Sequence, residues 1–246
     1  MIKFFRKIRQ RLLSENKFSK YLFYAIGEIV LVVIGILIAL QINNWNENRK
    51  QQIKVNQNYH EILADLDRER AHANFIINKF EEQRQAYREY LERFADEKIS
   101  RKTMYNMLLQ LNMEGFPINS NTSITESLQN SGEIVLIPQA IRNKLISLQR
   151  LQQKITVDEG LDNRARMGVN ERLSMLIGSR TLEERLENQK ELKAELRIDE
   201  NTNEIILALE AIQDWMDFSE SKSIRQLSGL VDEINEVEKL ILEEMK

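Results

Sequence analysis

The pattern of hydrophobic and polar positions is dominated by one apolar stretch near the start of the chain. Residues 29–40 are all apolar, and across the wider span from Tyr21 to Trp45 the only charged residue is Glu28. A helix rises about 1.5 Å per residue, so about 20 residues cross a hydrocarbon layer about 30 Å thick. The pattern therefore predicts a transmembrane helix over residues 21–45.

Two other interpretations fit part of this pattern. A helix that is apolar on every side can lie in a protein core, but the rest of this chain is too polar to enclose one. A cleaved signal peptide has a shorter apolar region that ends at a small-residue cleavage site. The stretch instead ends in the sequence QINNW, which contains no such site. We therefore expect an uncleaved membrane anchor.

Beyond the span, apolar residues recur at alternating steps of four and three, as in a coiled coil. No glycine or proline lies between Gly35 and Gly115, so we expect the membrane helix to continue into this segment with little or no break. Arg70 and Arg84 occupy two positions of the same stripe, where they either pair with acidic partners or lean out to solvent. The predicted seam consists of Tyr59, Leu63, Leu66, Ala73, Ile77, Phe80, Tyr87, Leu91 and Phe94.

The sequence pattern also predicts helices in the rest of the chain. Ser100 is a candidate N-cap for a short helix, and Pro138 suits the start of a longer one that runs to about residue 157. Further helices are predicted over residues 161–177, 182–196, 199–218 and 222–245. The helix at 199–218 has a face of Ile205, Leu209, Ile212 and Met216. The predicted fold is all-α, with one N-terminal transmembrane helix that continues into a long helix and an extramembrane antiparallel helical bundle or coiled coil.

Charge predicts the topology. The first 21 residues carry seven basic residues and one Glu, whereas the whole chain has a net charge of −3. The positive-inside rule then places the N-terminus in the cytoplasm. We expect three parts: a cytoplasmic basic segment at 1–20, the membrane helix at 21–45 and an extracytoplasmic, periplasmic helical domain at 46–246. The acidic domain argues against a nucleic-acid partner.

The N-terminal segment interleaves basic and apolar residues. This spacing fits an amphipathic helix that lies on anionic lipid, and it equally fits a plain basic tail. The basic residues that would face the membrane surface are Lys3, Arg6, Lys7, Arg9 and Arg11.

Small residues mark one side of the membrane helix. Gly35 and Ala39 form a small-x-x-x-small pair, and Gly27 lies on roughly the same side, so two such helices can approach closely. Glu28 shares that side, where a carboxylate is either functional and paired or close enough to the interface to reach water. We expect this face to pack against a second copy or a partner's helix.

Candidate chemistry is scarce. The chain has no cysteine, and its two histidines, His60 and His72, are twelve residues apart on one predicted helix. We find no zinc-protease, phosphate-loop or serine-nucleophile motif. Acidic residues occur in the mixtures typical of solvated helix faces. We therefore expect no enzyme activity, no cofactor and no metal.

One stretch carries a resemblance. Residues 26–47, IGEIVLVVIGILIALQINNWNE, together with the preceding FRKIRQRLLSENKFSKY, resemble a family of single-pass membrane proteins of unknown function common in Bacteroidota. A Ser-Gly turn in SLQNSGEIVLI, residues 127–137, is similar to the same family. The resemblance implies a location in a bacterial inner membrane and supplies no activity or ligand.

These observations leave three hypotheses. In the first, the protein is a membrane-tethered scaffold that contacts membrane lipid and binds itself as a homo-oligomer or another envelope protein. In the second, the helical bundle senses a ligand and signals through a membrane partner; a pocket bordered by Phe116, Ile118 and Ile137 would favour it. The third is a lipid or envelope-maintenance role for the basic segment alone.

Overall fold

The absence of helix-breaking residues after Gly35 produces a single long first helix, α1, at Phe18–Asp96. It contains both the predicted span and the predicted seam, so the expected continuation without a break is confirmed. The computed structural model describes residues 18–96, 98–118, 123–179, 181–197 and 201–246. The basic residues Lys3, Arg6, Lys7, Arg9 and Arg11 lie outside these ranges.

The described residues after α1 form six further α-helices and one 3₁₀-helix, without any strand. They are α2 Arg101–Gln110, α3 Ser123–Asn130, the 3₁₀-helix Glu133–Leu136, α4 Gln139–Ile177, α5 Leu182–Leu186, α6 Lys190–Glu195 and α7 Thr202–Glu244. The predicted all-α class is confirmed. The Ser100 cap is confirmed as well, because its hydroxyl accepts the backbone N–H of Thr103 at 3.1 Å at the start of α2.

The chain divides into two compact units, residues 1–57 and 58–246. In the first unit, the large apolar side chains that the structure describes between Leu22 and Ile42 are exposed. Among the described residues, α1 is the one helix long and apolar enough to cross a membrane, and no part of its most apolar 18-residue window is buried. A bilayer would cover such a surface without any protein neighbour.

In the second unit, α7 packs antiparallel to α1. Arg70 Nη1 donates to Glu238 Oε2 at 2.6 Å, and Arg84 Nε donates to Asp217 Oδ1 at 2.8 Å. Residue numbers rise along α1 as they fall along α7, so the two helices run in opposite directions. Both arginines of the predicted seam therefore pair with acidic residues rather than lean out to solvent.

Helix α4 also packs antiparallel to α7. Lys144 Nζ lies 3.1 Å from Glu233 Oε2, and further along α4, Asp162 Oδ2 lies 2.5 Å from Lys222 Nζ. α7 thus has α1 on one flank and α4 on another, which makes the second unit an antiparallel helical bundle. The core contains the four predicted residues of α7, all at most 3% exposed: Ile205, Leu209, Ile212 and Met216.

The buried face of α1 differs in part from the predicted seam. Five predicted residues are buried: Tyr59, Leu66, Ala73, Phe80 and Tyr87. Leu63 and Ile77 are only half-buried, and Leu91 and Phe94 are 47% and 42% exposed. The second row of buried residues lies one position earlier, at Ile62, Glu69, Ile76 and Tyr90. The physical reason is the register of the heptad. The prediction steps four residues from Tyr59 to Leu63 and then three to Leu66, whereas the buried residues step three to Ile62 and then four to Leu66. In every second position the buried residue is therefore the one before the predicted residue.

Two predicted breaks are absent. The helices expected at 138–157 and 161–177 form one helix, α4, which runs through Gly160 and Gly168. Similarly, the polar run around residue 220 does not interrupt α7. In contrast, the helix expected over residues 182–196 is divided into α5 and α6. Packing against neighbouring helices stabilises α4 and α7 beyond what local propensity predicts.

The register of α1 can be tested with a pair of adjacent residues. Ile76 is fully buried and Ile77 is half-buried. We expect Ile76→Ala to lower the free energy of unfolding by about 2–5 kcal/mol, because it leaves a cavity in a packed core. Ile77→Ala should cost clearly less. Thermal unfolding of the full-length protein in mild detergent, followed by circular dichroism, measures both; equal losses would contradict the observed register.

Candidate functional site

The face of α1 formed by Gly27, Glu28, Gly35 and Ala39 is open in the first unit. Apart from the adjacent turns of α1 itself, no atom of the described residues lies within 4 Å of the position that a Cβ would take at Gly27 or Gly35. Helical spacing of about 100° per residue places the four on one side of α1. Glu28 is half-buried and borders a shallow concavity of about 360 Å³ with Ala25, Ile29, Val32 and Val33. This face has the shape that close helix–helix approach requires.

The end of the apolar stretch carries an aromatic–cation pair. The Arg49 guanidinium lies over the Trp45 ring, 6.0 Å from its centroid, and Trp45 is 64% exposed. One turn away, Lys50 Nζ contacts Glu47 Oε1 at 3.1 Å. Trp with nearby basic residues is typical of the membrane–water interface.

A groove is present in the second unit, with a volume of about 890 Å³. Polar and apolar side chains both line it. Tyr105 and Leu109 of α2, the connection 111–114, Asn170 to Gly178 of α4, and Leu182 contribute to it. This size lies in the range of small-molecule sites.

The groove does not lie where the sequence indicated a pocket. Ile118 and Ile137 are each 2% exposed and belong to the core. Phe116 packs edge-on against Phe75 and Phe80, with ring centroids 6.2 and 6.1 Å apart. Side chains therefore fill the predicted location, and the groove borders the earlier part of the same connection.

A cluster of polar residues interrupts the core of the bundle near the groove. Glu220 of α7 is 5% exposed, and its Oε1 has no hydrogen-bond partner among the described residues. The Arg84–Asp217 ion pair lies beside it. Arg166 of α4 approaches from another side and lies so close to Gly115 that a Cβ there would overlap its guanidinium. We call Glu220, Arg84, Asp217, Arg166 and Gly115 the buried polar cluster.

Burial is the main cause of the shifted pKa values of Glu220 and of the nearby Tyr87. Desolvation raises the pKa of Glu220 to about 8, and the negative charge of Asp217 adds to the rise. Arg84 and Arg166 act in the opposite direction and lower the pKa. On α1, burial followed by Glu210 raises the pKa of Tyr87 to about 12. Glu220 is therefore mostly neutral at pH 7.

The sequence gives only weak signals for these residues. Glu220 lies in the run DFSESKS, which has the composition of a solvated turn, and Arg166 lies in a similarly charged stretch. Gly115 is the one member with a visible signal, because it opens the longest irregular connection in the chain. The two histidines, His60 and His72, are both exposed on α1. Within the described residues, no group of three or more His, Cys, Asp or Glu side chains is arranged to hold a metal ion.

Comparison with protein families identifies the chain by its first half. The model of a family of unknown function, DUF6090, matches residues 28–152, about half of the chain. The chain belongs to the DUF6090 family. The match covers Glu28, Gly35, Ala39, all of the predicted seam, and α1 to the first part of α4. Neither the curated proteins nor the solved structures contain a significant match.

The DUF6090 match divides both candidate sites in the second unit. It includes Arg84 and Gly115 of the buried polar cluster but ends before Arg166 and Glu220. It likewise includes the α2 side of the groove and excludes Asn170 to Gly178. The open face of α1 lies within the family match except for Gly27.

The raised pKa of Glu220 predicts a pH dependence of stability. In the folded state Glu220 keeps its proton up to a pH of about 8, whereas in the unfolded state it loses the proton at about 4.5. The stabilising contribution of Glu220 to the free energy of unfolding is therefore fully present below pH 4.5. It is lost as pH rises toward 8, by up to about 1.4 kcal/mol per pH unit.

Glu220→Gln should remove this dependence, because Gln stays neutral. We expect the variant to gain stability relative to the wild type as pH rises, with the difference levelling off above the pKa. Thermal unfolding across this pH range measures it, and Glu243→Gln, at an exposed position on α7, is the matched control. Parallel curves for the wild type and Glu220→Gln would contradict an unpaired buried carboxyl.

Proposed function

We propose that the protein is a single-pass protein of a bacterial inner membrane whose periplasmic helical domain is a non-enzymatic scaffold, and that it self-associates through the face of Gly27, Glu28, Gly35 and Ala39. The observation that carries this proposal is the open small-residue face on the stretch of α1 whose large apolar side chains, between Leu22 and Ile42, are exposed. In a bilayer, small residues allow backbones to approach closely enough for dispersion contacts and weak hydrogen bonds to hold helices together.

The topology rests on charge. Seven basic residues precede the stretch, and Arg49, Lys50 and Lys54 follow it closely, so the N-terminus belongs on the cytoplasmic side. The resemblance to Bacteroidota proteins supports an inner-membrane location. Membrane lipid is then the first partner, through the basic segment and the Trp45–Arg49 pair, and a second copy or another envelope protein is the next.

A scaffold is the function that fits the second unit best. The outer faces of α1 and α7 are mainly polar and charged, with single exposed apolar side chains such as Phe75 and Leu207, and ion pairs join the two helices. No nucleophile with an adjacent base is found in the part of the chain that the structure describes. A body of this kind offers surface to another protein instead of reacting with a substrate.

The self-association proposal can be tested by disulfide crosslinking. The natural chain has no cysteine, so a single substitution gives a single reporter. We expect Gly35→Cys and Ala39→Cys, oxidised in isolated membranes, to give covalent dimers. Leu37→Cys is the matched control, because two residues of helix rotate it to the opposite side.

Equal crosslinking at residues 35 and 37 would contradict a specific face. A complete lack of dimers, with no second protein copurifying in mild detergent, would contradict the scaffold proposal as a whole. Gly35→Leu should also reduce the mass of the complex in mild detergent, because its side chain prevents close approach.

The groove favours a second candidate function, that of a ligand-sensing bundle that signals through a membrane partner. Its mixed lining, which includes the polar residues Asn112, Asn170, Ser174 and Ser179, suits a small amphiphilic molecule. In this function, a membrane partner relays the signal from the bundle.

Native mass spectrometry of the protein extracted from its own membranes tests the second function. We expect a small molecule to copurify with the wild type and to be lost in Ser174→Trp, whose indole fills the groove. Met175→Trp, on the exposed surface next to it, should retain the molecule. Wild-type protein that carries no additional mass would contradict this function.

A further inference from the structure

The connection at residues 111–118 is shared by the groove and the buried polar cluster. On one side, residues 111–114 line the groove. On the other, the Glu114 carbonyl accepts the side-chain amide of Gln83 at 2.9 Å, and Gly115 lies against the Arg166 guanidinium. A movement of Arg166 would therefore change the close approach at Gly115, directly next to residues that line the groove.

Charged groups from three helices surround Glu220. α7 supplies Asp217, α1 supplies Arg84, which is already bonded to Asp217, and α4 supplies Arg166. Tyr87 of α1 faces the same Asp217. The nearby Asp162 and Lys222 are paired with each other. Arg166 is bonded to a neutral partner, Asn163 Oδ1, at 2.8 Å. It is therefore the cation most easily drawn toward a new negative charge.

We propose that Glu220 is a proton-dependent latch on the connection 111–118: with its carboxyl protonated the connection stays closed over the bundle, and loss of the proton to solvent draws Arg166 away from Gly115 and opens it. The proposal does not depend on which of the two functions above is correct.

The physical argument is the cost of an unpaired buried charge. A carboxylate shielded from water and without a hydrogen bond is strongly disfavoured, so the ionised state must find a cation or reach solvent. Arg84 already shares its charge with Asp217, whereas the hydrogen-bond partner of Arg166, Asn163, is neutral. The positive charge of Arg166 already acts on Glu220, and local opening of one connection costs less than unfolding the bundle.

Thiol labelling of a single cysteine in the connection tests the latch. Met113→Cys introduces a half-buried thiol, and its maleimide labelling rate is measured on the full-length protein in mild detergent, with Glu220 and with Glu220→Gln. Dividing the rate measured with Glu220 by the rate measured with Glu220→Gln cancels the pH dependence of the thiol itself. We expect the ratio to rise by up to about tenfold per pH unit and to level off above the pKa.

Two reference positions separate local opening from other effects. Ala73→Cys is buried in the core, at 2% exposure, and should show no rise in the same ratio. Val135→Cys is exposed and reports only thiol chemistry. Arg166→Met should abolish the rise even with Glu220 present, because the group that moves has lost its charge. A ratio independent of pH at Met113, or an equal rise at Ala73, would overturn the proposal.

Discussion

The second unit depends on burial of the apolar stripe of α7. An isolated helix gains little from its own backbone hydrogen bonds in water and is stabilised mainly by packing one apolar face. α7 has α1 on one flank and α4 on another, and it contributes side chains that are at most 1% exposed: Leu209, Ile212, Leu227, Leu230, Ile234, Val237 and Ile241. Each such side chain contributes about 1.5–3 kcal/mol relative to exposure. The polar pairs at Arg70 and Arg84 then fix which residues of α1 meet which residues of α7.

The elements of this fold are readable from the sequence because a 3.6-residue period and the spacing of Gly and Pro report directly on helices. The register of the buried face of α1 cannot be read from the sequence in this way. At three places on α1 two apolar residues stand side by side, Ile62–Leu63, Ile76–Ile77 and Tyr90–Leu91, so either step of the heptad fits. The choice between them is made by the partner helix. The buried row includes Glu69 as well, which no hydrophobic pattern would select.

The candidate sites also differ in whether local sequence or tertiary packing determines them. The open face of α1 is a local property of one helix, so the positions of Gly27, Gly35 and Ala39 are given by spacing alone. The buried polar cluster is assembled from residues as far apart as Arg84 and Glu220. Each of them stands among charged neighbours in the sequence and looks solvated there. Only the packing of three helices buries Glu220 and partly shields the other members from water, and that is a tertiary effect.

The family match ends at residue 152, in the middle of α4, while the side chains that cover the buried faces of α1 and α4 come from residues 205–241. The boundary drawn by sequence similarity is therefore not a boundary of folding. A fragment cut at residue 152 would keep the most recognisable half of the chain and lose the helix that makes it a stable body. Packing requires apolar residues at the buried positions of α7. Many different apolar residues can fulfil this requirement, so the identity of each residue is less restricted than its position.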